Sequence, residues 1–468
     1  MQKFSTGLFK ALFFAVLCMH TLLFVACEED DQTIIATITL ERSALYFATP
    51  STTEQVRFTT ERAVGMSLTG VPSGWDVSHN FAAATISITS PAADDTSAEK
   101  SGVIYGYVYS ETSTASQFEI YVSSVMPTSL ADFRSSCYVI TEADHSYSIP
   151  IGYKGEGSLP SGVSSVELLW QSDDNLISHL DMISEDEAAF YVAPDGKSTS
   201  RHGNALLGGY TPDGELAWTW HLWVTSSAPR AVGRYMDRNL GADGTAHATH
   251  DEILRSYGTY YQWGRLTPFV GPKYYNCGSA QSADLYQIGG VNYAYITYQL
   301  AQGEMATDDY ALAHPLVYLL SDESLSYDWN ATHPNDLWRA EGKSLYDPCP
   351  KGWRVADNFD DLTFAGDPLA DLETLEQQFG WELSDGENLL FFPGAGRRSW
   401  LQGSITNVNT AQTPKPWIGY YWSATAEADH LSRALYFSLD TEHPERSEFE
   451  NAIPSPRANG MQVRCIKE

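Results

Sequence analysis

The pattern of apolar and polar positions predicts short β-strands over residues 34–125. Apolar side chains alternate with polar ones around Ile86 and Ile88, and again over 103–109. Successive side chains of a strand point to opposite faces, so this alternation is typical of strands with one buried face. Turn-forming residues such as Pro72-Ser73-Gly74 separate the alternating segments. The pattern predicts a small antiparallel β-sandwich.

The stretch 126–229 carries a second set of strand patterns. Pro212-Asp213-Gly214 supplies a turn, and the segment 216–224 that follows alternates and contains three tryptophans. These tryptophans either form a platform on which sugar rings stack or pack inside a sheet between domains, and we favour packing. We predict a second β-sandwich here.

Residues 230–468 mix short apolar segments with long polar loops. A helix is predicted to begin after Asp357, which can cap its N-terminus while Asp360 lies in the first turn. A second helix is predicted from Asp367-Pro368 to a stop at Gly380. These signals indicate that α and β elements are mixed in this part of the chain.

The first 26 residues have the layout of a secretory signal peptide, with a basic start and an apolar run over 11–26. Phe24-Val25-Ala26-Cys27 resembles a lipobox, with Phe24 in place of the usual Leu, which implies that Cys27 carries a lipid. Residues 27–33 form an acidic tether, whose Glu28-Glu29-Asp30-Asp31 resembles the surface-export signal of Bacteroidetes lipoproteins. The alternatives are an ordinary secretory signal with an incidental cysteine, and a solvated linker.

Charge and cysteine usage narrow the possible partners. The 28 basic and 59 acidic residues give a net charge of −31, which argues against nucleic acid and against an anionic membrane surface as ligand. The cysteines that follow Cys27 form no CxxC pair, so a structural zinc site is not expected. They are Cys137, Cys277, Cys349 and Cys465.

The sequence carries none of the common catalytic motifs: no Walker A loop, no GxSxG, no HExxH and no GxGxxG between a strand and a helix. His247 and His250 precede two acidic residues, which is either half a metal site or an exposed polar loop, and we favour the loop. The prediction is therefore a protein that is not an enzyme, with no metal and no cofactor.

The two β-rich stretches each resemble a known module. Residues 34–125 resemble a BACON domain, an immunoglobulin-like module, through Leu45-Tyr46-Phe47, the turn before Trp75 and Gly102-Val103-Ile104. That resemblance implies either sugar binding or a spacer role, and we favour the spacer. Residues 126–229 resemble a β-domain of Bacteroidetes surface and fimbria-related proteins.

Residues 230–468 closely resemble the Fibrobacter succinogenes major paralogous domain. The matching motifs are Tyr235–Ala242, Gly258–Arg265, Asp347–Val355, Gly419–Ala424 and Gly460–Ile466. The resemblance implies a C-type-lectin-like fold and a disulfide between Cys349 and Cys465, whereas a pairing of Cys137 with Cys277 is left open. The whole chain is thus predicted to be multidomain, with two β-sandwich (immunoglobulin-like) domains followed by an α+β C-type-lectin-like domain.

The lectin resemblance does not extend to a calcium site. In the sugar-binding lectins a Trp-Asn-Asp strand holds the ion, whereas here Ser423-Ala424 follows Trp422. The candidate ligand surface is instead the stretch 396–419, which is polar, aromatic and locally basic in an acidic protein. Its candidate contacts are Arg397, Arg398, Trp400 and Trp417. The alternative is an ordinary loop packed by its own tryptophans.

Together these features imply a non-catalytic lipoprotein of the outer membrane that faces the cell exterior. The preferred hypothesis is an adhesin or a fimbria-associated, tip-like protein, whose head binds a glycan or protein and whose partners include fimbrial subunits. One alternative is a surface glycan-binding lipoprotein of a polysaccharide-utilisation system. The least favoured is an enzyme of the formylglycine-generating type, which would need Cys349 and Cys465 as reactive thiols.

Replacing Cys27 by Ser is expected to release the protein from membranes, because the thiol that would carry the lipid is gone. Cell fractionation, combined with metabolic labelling by a fatty-acid analogue, measures the outcome. Continued recovery of Cys27→Ser in the membrane fraction, accessible to added protease, would contradict the lipid anchor.

Overall fold

A computed structural model describes residues 35–111, 115–194, 201–272, 285–287, 296–365, 379–406, 417–440 and 442–468. Cys27, Cys277 and the helix predicted after Asp367 lie outside the described residues. The chain is mostly β-sheet, and its contacts divide it into two compact units. Among the described residues, no helix is long and apolar enough to span a membrane.

The first unit contains the alternating strands predicted before residue 125. One sheet has the antiparallel order β1-β3-β6-β5, and β8, β7 and β4 pair in a second sheet. Ile86 and Ile88 are fully buried, as their alternation predicts, and Gly74 (φ +82°) occupies the predicted turn. The strands are β1 (Thr37–Leu40), β3 (Thr53–Glu61), β4 (Gly65–Thr69), β5 (Asp76–Asn80), β6 (Thr85–Thr89), β7 (Ser101–Tyr109) and β8 (Ala115–Ser123).

The second unit comprises Val125–Glu468 together with Ala44–Ala48, which contains β2 (Ala44–Tyr46). Its first half forms two four-stranded sheets, in the orders β10-β16-β15-β12 and β13-β14-β11-β9. The strands are β9 (Thr128–Ser129), β10 (Cys137–Ile140), β11 (His145–Pro150), β12 (Ser165–Gln171), β13 (Ile177–Ser184), β14 (Glu187–Val192), β15 (Gly203–Tyr210) and β16 (Leu216–Val224).

The three tryptophans of β16 are packing residues. Trp218, Trp220 and Trp223 are all fully buried. Trp218 and Trp220 belong to the apolar core of these two sheets, whereas Trp223 packs with residues from the C-terminal half. The favoured interpretation is confirmed, and a sugar platform on this strand is excluded because no tryptophan face is exposed.

The C-terminal half of the second unit is built from short strands and long loops. Its helices are α1 (His250–Ser256) and α2 (Asp308–Ala313), with short 3₁₀ helices at Gly303–Met305, Glu323–Leu325, Ala428–His430 and Pro444–Arg446. The strands are β17 (Ala231–Val232), β18 (Tyr235–Met236), β19 (Tyr260–Gln262), β20 (Thr297–Leu300), β21 (Val317–Leu320), β22 (Trp353–Val355), β23 (Thr363–Phe364), β24 (Gly380–Ser384), β25 (Leu389–Pro393), β26 (Arg397–Arg398), β27 (Ile405–Thr406), β28 (Trp417–Ala426), β29 (Leu431–Leu439), β30 (Glu448–Pro456), β31 (Gly460–Val463) and β32 (Cys465–Lys467).

Two consecutive strands organise this half. β31 lies in the middle of a seven-stranded sheet and pairs with β19, β26 and β28. β32 pairs with β18 and β22 in a separate four-stranded sheet. A disulfide joins Cys349 to Cys465, as the family resemblance implies, with the two Cα atoms 6.1 Å apart. Both cysteines are fully buried.

Two local predictions were wrong. No helix follows Asp357: its carboxylate accepts from the Arg234 guanidinium at 2.6 Å, and residues 357–361 form an irregular segment that ends in a turn. The segment at His247 and His250 is not simply a polar loop, because Thr249 caps α1 in a capping box with Glu252. The partner of Asp357 is distant in sequence and could not be inferred from spacing, whereas the spacing Thr249-x-x-Glu252 is the sequence signature of a capping box.

A buried histidine links the two halves of the second unit. His221 of β16 bonds through Nε2 to Oδ1 of Asn204 at 2.8 Å, and its Nδ1 lies 3.5 Å from the Tyr261 hydroxyl of the C-terminal half. Asn204 in turn donates to the carbonyl of Gly241 at 2.8 Å. Burial lowers the pKa of His221 to about 3, so the ring is neutral in the folded protein.

Removing the disulfide through the double change Cys349→Ser and Cys465→Ser is expected to lower the free energy of unfolding by about 2–5 kcal/mol. The bond closes a loop with a sequence separation of 116, so the reduced unfolded chain gains entropy. Thermal unfolding with and without reductant measures the effect. Reductant should lower the Tm of the wild type and leave the double variant unchanged; equal shifts would contradict a stabilising role.

Stability is expected to fall as the pH drops from about 6.5 towards 3, in part because His221 takes up a proton only when unfolded. The expected slope from this group approaches about 1.4 kcal/mol per pH unit. Denaturant unfolding of wild type, His221→Gln and the control His443→Gln, whose side chain is half exposed, measures it. The prediction fails if His221→Gln has the same pH slope as the control.

Candidate ligand-binding surface

Two of the four predicted ligand contacts are interior residues. Arg398 is fully buried, and its guanidinium donates to the carbonyls of Gly403 and Val270, each at 3.0 Å. Trp417 is 4% exposed and its ring packs 4.4 Å from that of Phe379. Both were wrongly placed on the surface, because side chains of these types stabilise a loop-rich interior as readily as they bind a ligand.

Arg397 lies between interior and surface. Its guanidinium sits over the Tyr420 ring at 4.6 Å, in cation–π geometry, and the residue is half-buried. Arg397 and Arg398 are neighbours on β26 and point to opposite faces of the strand. Arg398 thus belongs to the core, whereas Arg397 lies at the edge of the surface.

Trp400 is the predicted contact that reaches the surface on a fixed backbone. Its N–H donates to Oδ1 of Asn459 at 3.1 Å, and its carbonyl accepts from the N–H of Ser321 at 3.0 Å. The half-exposed indole meets the Tyr327 ring edge to face at 4.8 Å. The side chain is therefore held in place before any ligand arrives.

A tight turn, residues 399–404, carries Trp400 together with Leu401. The N–H of Ser399 donates to the carbonyl of Ser404 at 2.9 Å, and that of Gly403 donates to the carbonyl of Ser399 at 2.8 Å. Gly403 has φ +68° and lies directly under the ring of Tyr298, where a Cβ would clash. Glycine is required here by both the backbone and the neighbouring ring.

The turn and the strand β20 together expose a group of apolar side chains. Tyr298 and Leu300 are each 41% exposed, and Leu401 is 54% exposed. Tyr298 and Leu300 share one face of β20 because they are two positions apart. We call these residues, together with Trp400, the Trp400 surface.

The sequence analysis missed Tyr298, Leu300 and Leu401. The segment Thr297-Tyr298-Gln299-Leu300 does alternate, so the signal was present. It did not indicate which face is buried, because in most strands the apolar side of such an alternation faces the core. The structure shows that the apolar face of β20 is the exposed one. On this face the ring of Tyr298 lies over Gly403 of the 399–404 turn.

An acidic turn lies next to the Trp400 surface. The N–H of Tyr327, whose ring contacts Trp400, donates to the carbonyl of Asp322 at 2.9 Å. The hydroxyl and N–H of Ser324 donate to the carboxylate of Asp322, which lowers the pKa of that carboxyl. Asp322 is therefore ionised at neutral pH. Where aromatic rings lie beside a carboxylate, the rings can stack on a sugar ring and the carboxylate can accept hydrogen bonds from the sugar hydroxyls.

Comparison with known proteins assigns no family to the chain. No family model and no curated protein matches. Among solved structures, the D00-D0 domain of intimin matches at 9% identity over 40% of this chain and 96% of its own, with a TM-score of 0.16. The Bacteroides ovatus mixed-linkage glucan utilization locus SGBP-B, in complex with mixed-linkage heptasaccharide, matches at 11% identity over 43% of this chain and 47% of its own, with a TM-score of 0.13. Scores this low do not establish a shared fold.

The buried position of Arg398 predicts a clear contrast with its neighbour. Arg398→Ala is expected to cost at least about 2 kcal/mol of unfolding free energy, since two buried carbonyls lose their donor and a cavity forms. Arg397→Ala should cost about 1 kcal/mol or less, the size of one partly exposed cation–π contact. Denaturant unfolding compares them, and equal losses would contradict the assignment of Arg398 to the core.

Proposed function

We propose that this protein is a non-catalytic surface lipoprotein whose C-terminal half is a ligand-binding head, acting as an adhesin or a fimbria-associated, tip-like subunit. The observation that carries the proposal is the Trp400 surface. Exposed apolar groups on a rigid, hydrogen-bonded turn are typical of interaction sites in proteins. The lipid anchor at Cys27 would hold the chain at the outer membrane, facing the exterior.

Features of the C-terminal half support a C-type-lectin-like head. Long loops, short strands and a buried disulfide agree with what the motif resemblance to the Fibrobacter succinogenes major paralogous domain implies. Cys349 and Cys465 are bonded to each other and fully buried. This supports a structural role for the pair and argues against redox chemistry of the formylglycine-generating type.

The first unit would serve as a spacer between anchor and head. Its resemblance to a BACON domain rests on sequence motifs, and the turn at Gly74 and Trp75 fits that resemblance. The sandwich formed by β9–β16 packs on the head through a shared core that includes Leu266 and Tyr346. In this proposal the sandwich supports the head and does not bind ligand itself.

A second candidate function is glycan capture within a polysaccharide-uptake system. The exposed ring of Tyr298 and the partly buried ring of Trp400 favour it, because aromatic faces stack on the apolar faces of sugar rings. Both functions use the same surface, so they differ in ligand: a host or bacterial surface partner for the adhesin, and a soluble polysaccharide for the uptake protein.

Ligand binding is expected to depend on the Trp400 surface. The full chain and its Trp400→Ala, Tyr298→Ala and Leu401→Ser variants are tested on a glycan array and for adhesion of cells that display them. Matched controls are Tyr153→Ala and Leu389→Ser, which have similar exposure at 41% and 60%. Each surface variant should lose about tenfold in binding, the size of one buried aromatic contact.

The outcomes separate the two functions. Adhesion lost in the surface variants, without binding to any polysaccharide, supports the adhesin. Tight binding to one soluble polysaccharide, lost in the same variants, overturns the adhesin in favour of glycan capture. If the controls lose as much as the surface variants, the Trp400 surface is not the binding site and the proposal fails.

A further inference from the structure

A polar cleft of about 320 Å³ lies within the second unit, formed by segments other than those of the Trp400 surface. Five segments form its walls: the end of β12, the start of β15, the loop after β18, the end of α1 and the segment after β19. Its size is at the lower end of the range of small-ligand sites, about 300–1,000 Å³.

Asp243 stands in this cleft on a fixed backbone. Its N–H donates to the carbonyl of Arg255 at 2.9 Å, and its carbonyl accepts from the hydroxyl of Thr225 at 2.7 Å and the N–H of Ser226 at 3.0 Å. Among the residues that the structure describes, none donates a hydrogen bond to its carboxyl group. The main chain is thus satisfied, and Asp243 is one of the residues that line the cleft.

The two cations of the cleft come from different elements, Arg255 from α1 and Arg201 from the segment before β15. Arg255 of α1 is half exposed and has one ion pair, with Asp251 at 3.2 Å. Arg201 is mostly buried, pairs with Asp173 at 3.0 Å and donates to the carbonyl of Asn175 at 3.1 Å. Arg255 is therefore the cation available to a ligand, whereas Arg201 is already bonded to Asp173 and Asn175.

The floor of the cleft is rigid. The side-chain amide of Asn204 donates to Gly241 and is bonded on its other side to His221. Gly241 has φ +81°, and a Cβ there would meet the side chains of Thr259 and Asn204 at 2.7–3.0 Å. The close approach of these groups fixes the position of the loop that carries Asp243.

The titratable groups that face Asp243 come from three elements. Burial raises the pKa of Asp243 to about 7, opposed by Arg255 and reinforced by Asp173 and Asp251. Burial, with help from Arg255, lowers the pKa of His202, so this ring is uncharged at neutral pH. Above pH 7 the lining therefore combines carboxylate acceptors with guanidinium donors and has almost no net charge.

We propose that this cleft binds an uncharged saccharide unit, whose hydroxyls donate to Asp243 and accept from Arg255. A sugar hydroxyl both donates and accepts, and it matches a lining that offers both acceptors and donors. An anionic ligand would face the Asp243 and Asp173 carboxylates. A divalent cation would face Arg255, and no group of three or more metal-ligating side chains occurs among the described residues. The site is independent of the Trp400 surface and stands whether or not that surface binds.

The test is saturation-transfer NMR and calorimetry on the full chain at about pH 8, where Asp243 is ionised. The probes are the methyl glycosides of glucose, galactose, mannose and N-acetylglucosamine, with glucuronate as an anionic probe. At least one neutral glycoside should bind, and Asp243→Asn should weaken it about tenfold. Asp336→Asn, which removes an equally exposed acid (71%) that does not line the cleft, should leave the affinity unchanged.

The pH dependence provides a second readout. Affinity of the wild type should fall as the pH is lowered from about 8 to 6, because a protonated carboxyl accepts fewer hydrogen bonds, and the profile of Asp243→Asn should be flat. Unfolding temperatures of the variants verify that each is folded. The proposal is overturned if none of the neutral glycosides binds up to roughly 50 mM, if glucuronate alone binds, or if Asp243→Asn binds like the wild type.

Discussion

The second unit depends on the backbone hydrogen bonds that its last two strands, β31 and β32, make with strands from earlier in the chain. Their seven residues of extended backbone pair with five other strands, which come from positions as far apart as β18 and β28. Two fully buried arginines, Arg457 and Arg464, lie on either side of β31 in the sequence and donate to the carbonyls of Pro334 and Met236 respectively. The disulfide at Cys465 fixes one of these strands to the loop before β22. Without this pairing, the loops would have no common sheet to rest on.

Both proposed binding regions are positioned by this arrangement. The Trp400 turn follows β26, which pairs with β31, and the N–H of Trp400 bonds to Asn459 immediately before β31. On the other side, the N–H of Leu240 bonds to the carbonyl of Val463 in β31, which places the loop that carries Asp243. Loops that are long in sequence are thereby held at both ends, and this favours preformed binding surfaces over surfaces that order on binding.

The sequence predicted those features that follow from local periodicity. The alternation at Ile86 and Ile88, and that around Trp218 and Trp220, identified buried strands, because a strand has only two faces and one of them must be apolar. The residues Pro72-Ser73-Gly74 likewise predicted a turn, and Gly74 adopts a positive φ there. For this reason the sequence could predict that the chain consists mainly of several β-sheets.

The predictions that were wrong concerned residues whose contacts are with partners distant in the sequence. Asp357 looks like a helix cap until Arg234, more than a hundred positions earlier, takes its carboxylate. Arg398 and Trp417 look like ligand contacts until Val270 and Phe379 are seen to enclose them. The cleft at Asp243 is made by five separate segments, none with a motif of its own. Burial of a polar residue is a tertiary property, and spacing along the chain does not encode it.

The position of β31 has a consequence for biosynthesis. A chain is made from its N-terminus, so the first unit has all the residues of its sheets once Ser124 has emerged. The C-terminal half, by contrast, lacks the central strand of its largest sheet until Gly460–Val463 is made. Strands β19, β26 and β28 must wait in an open state with unpaired edges, and such edges invite aggregation. We therefore expect the C-terminal half, more than the first unit, to expose aggregation-prone strand edges before synthesis is complete.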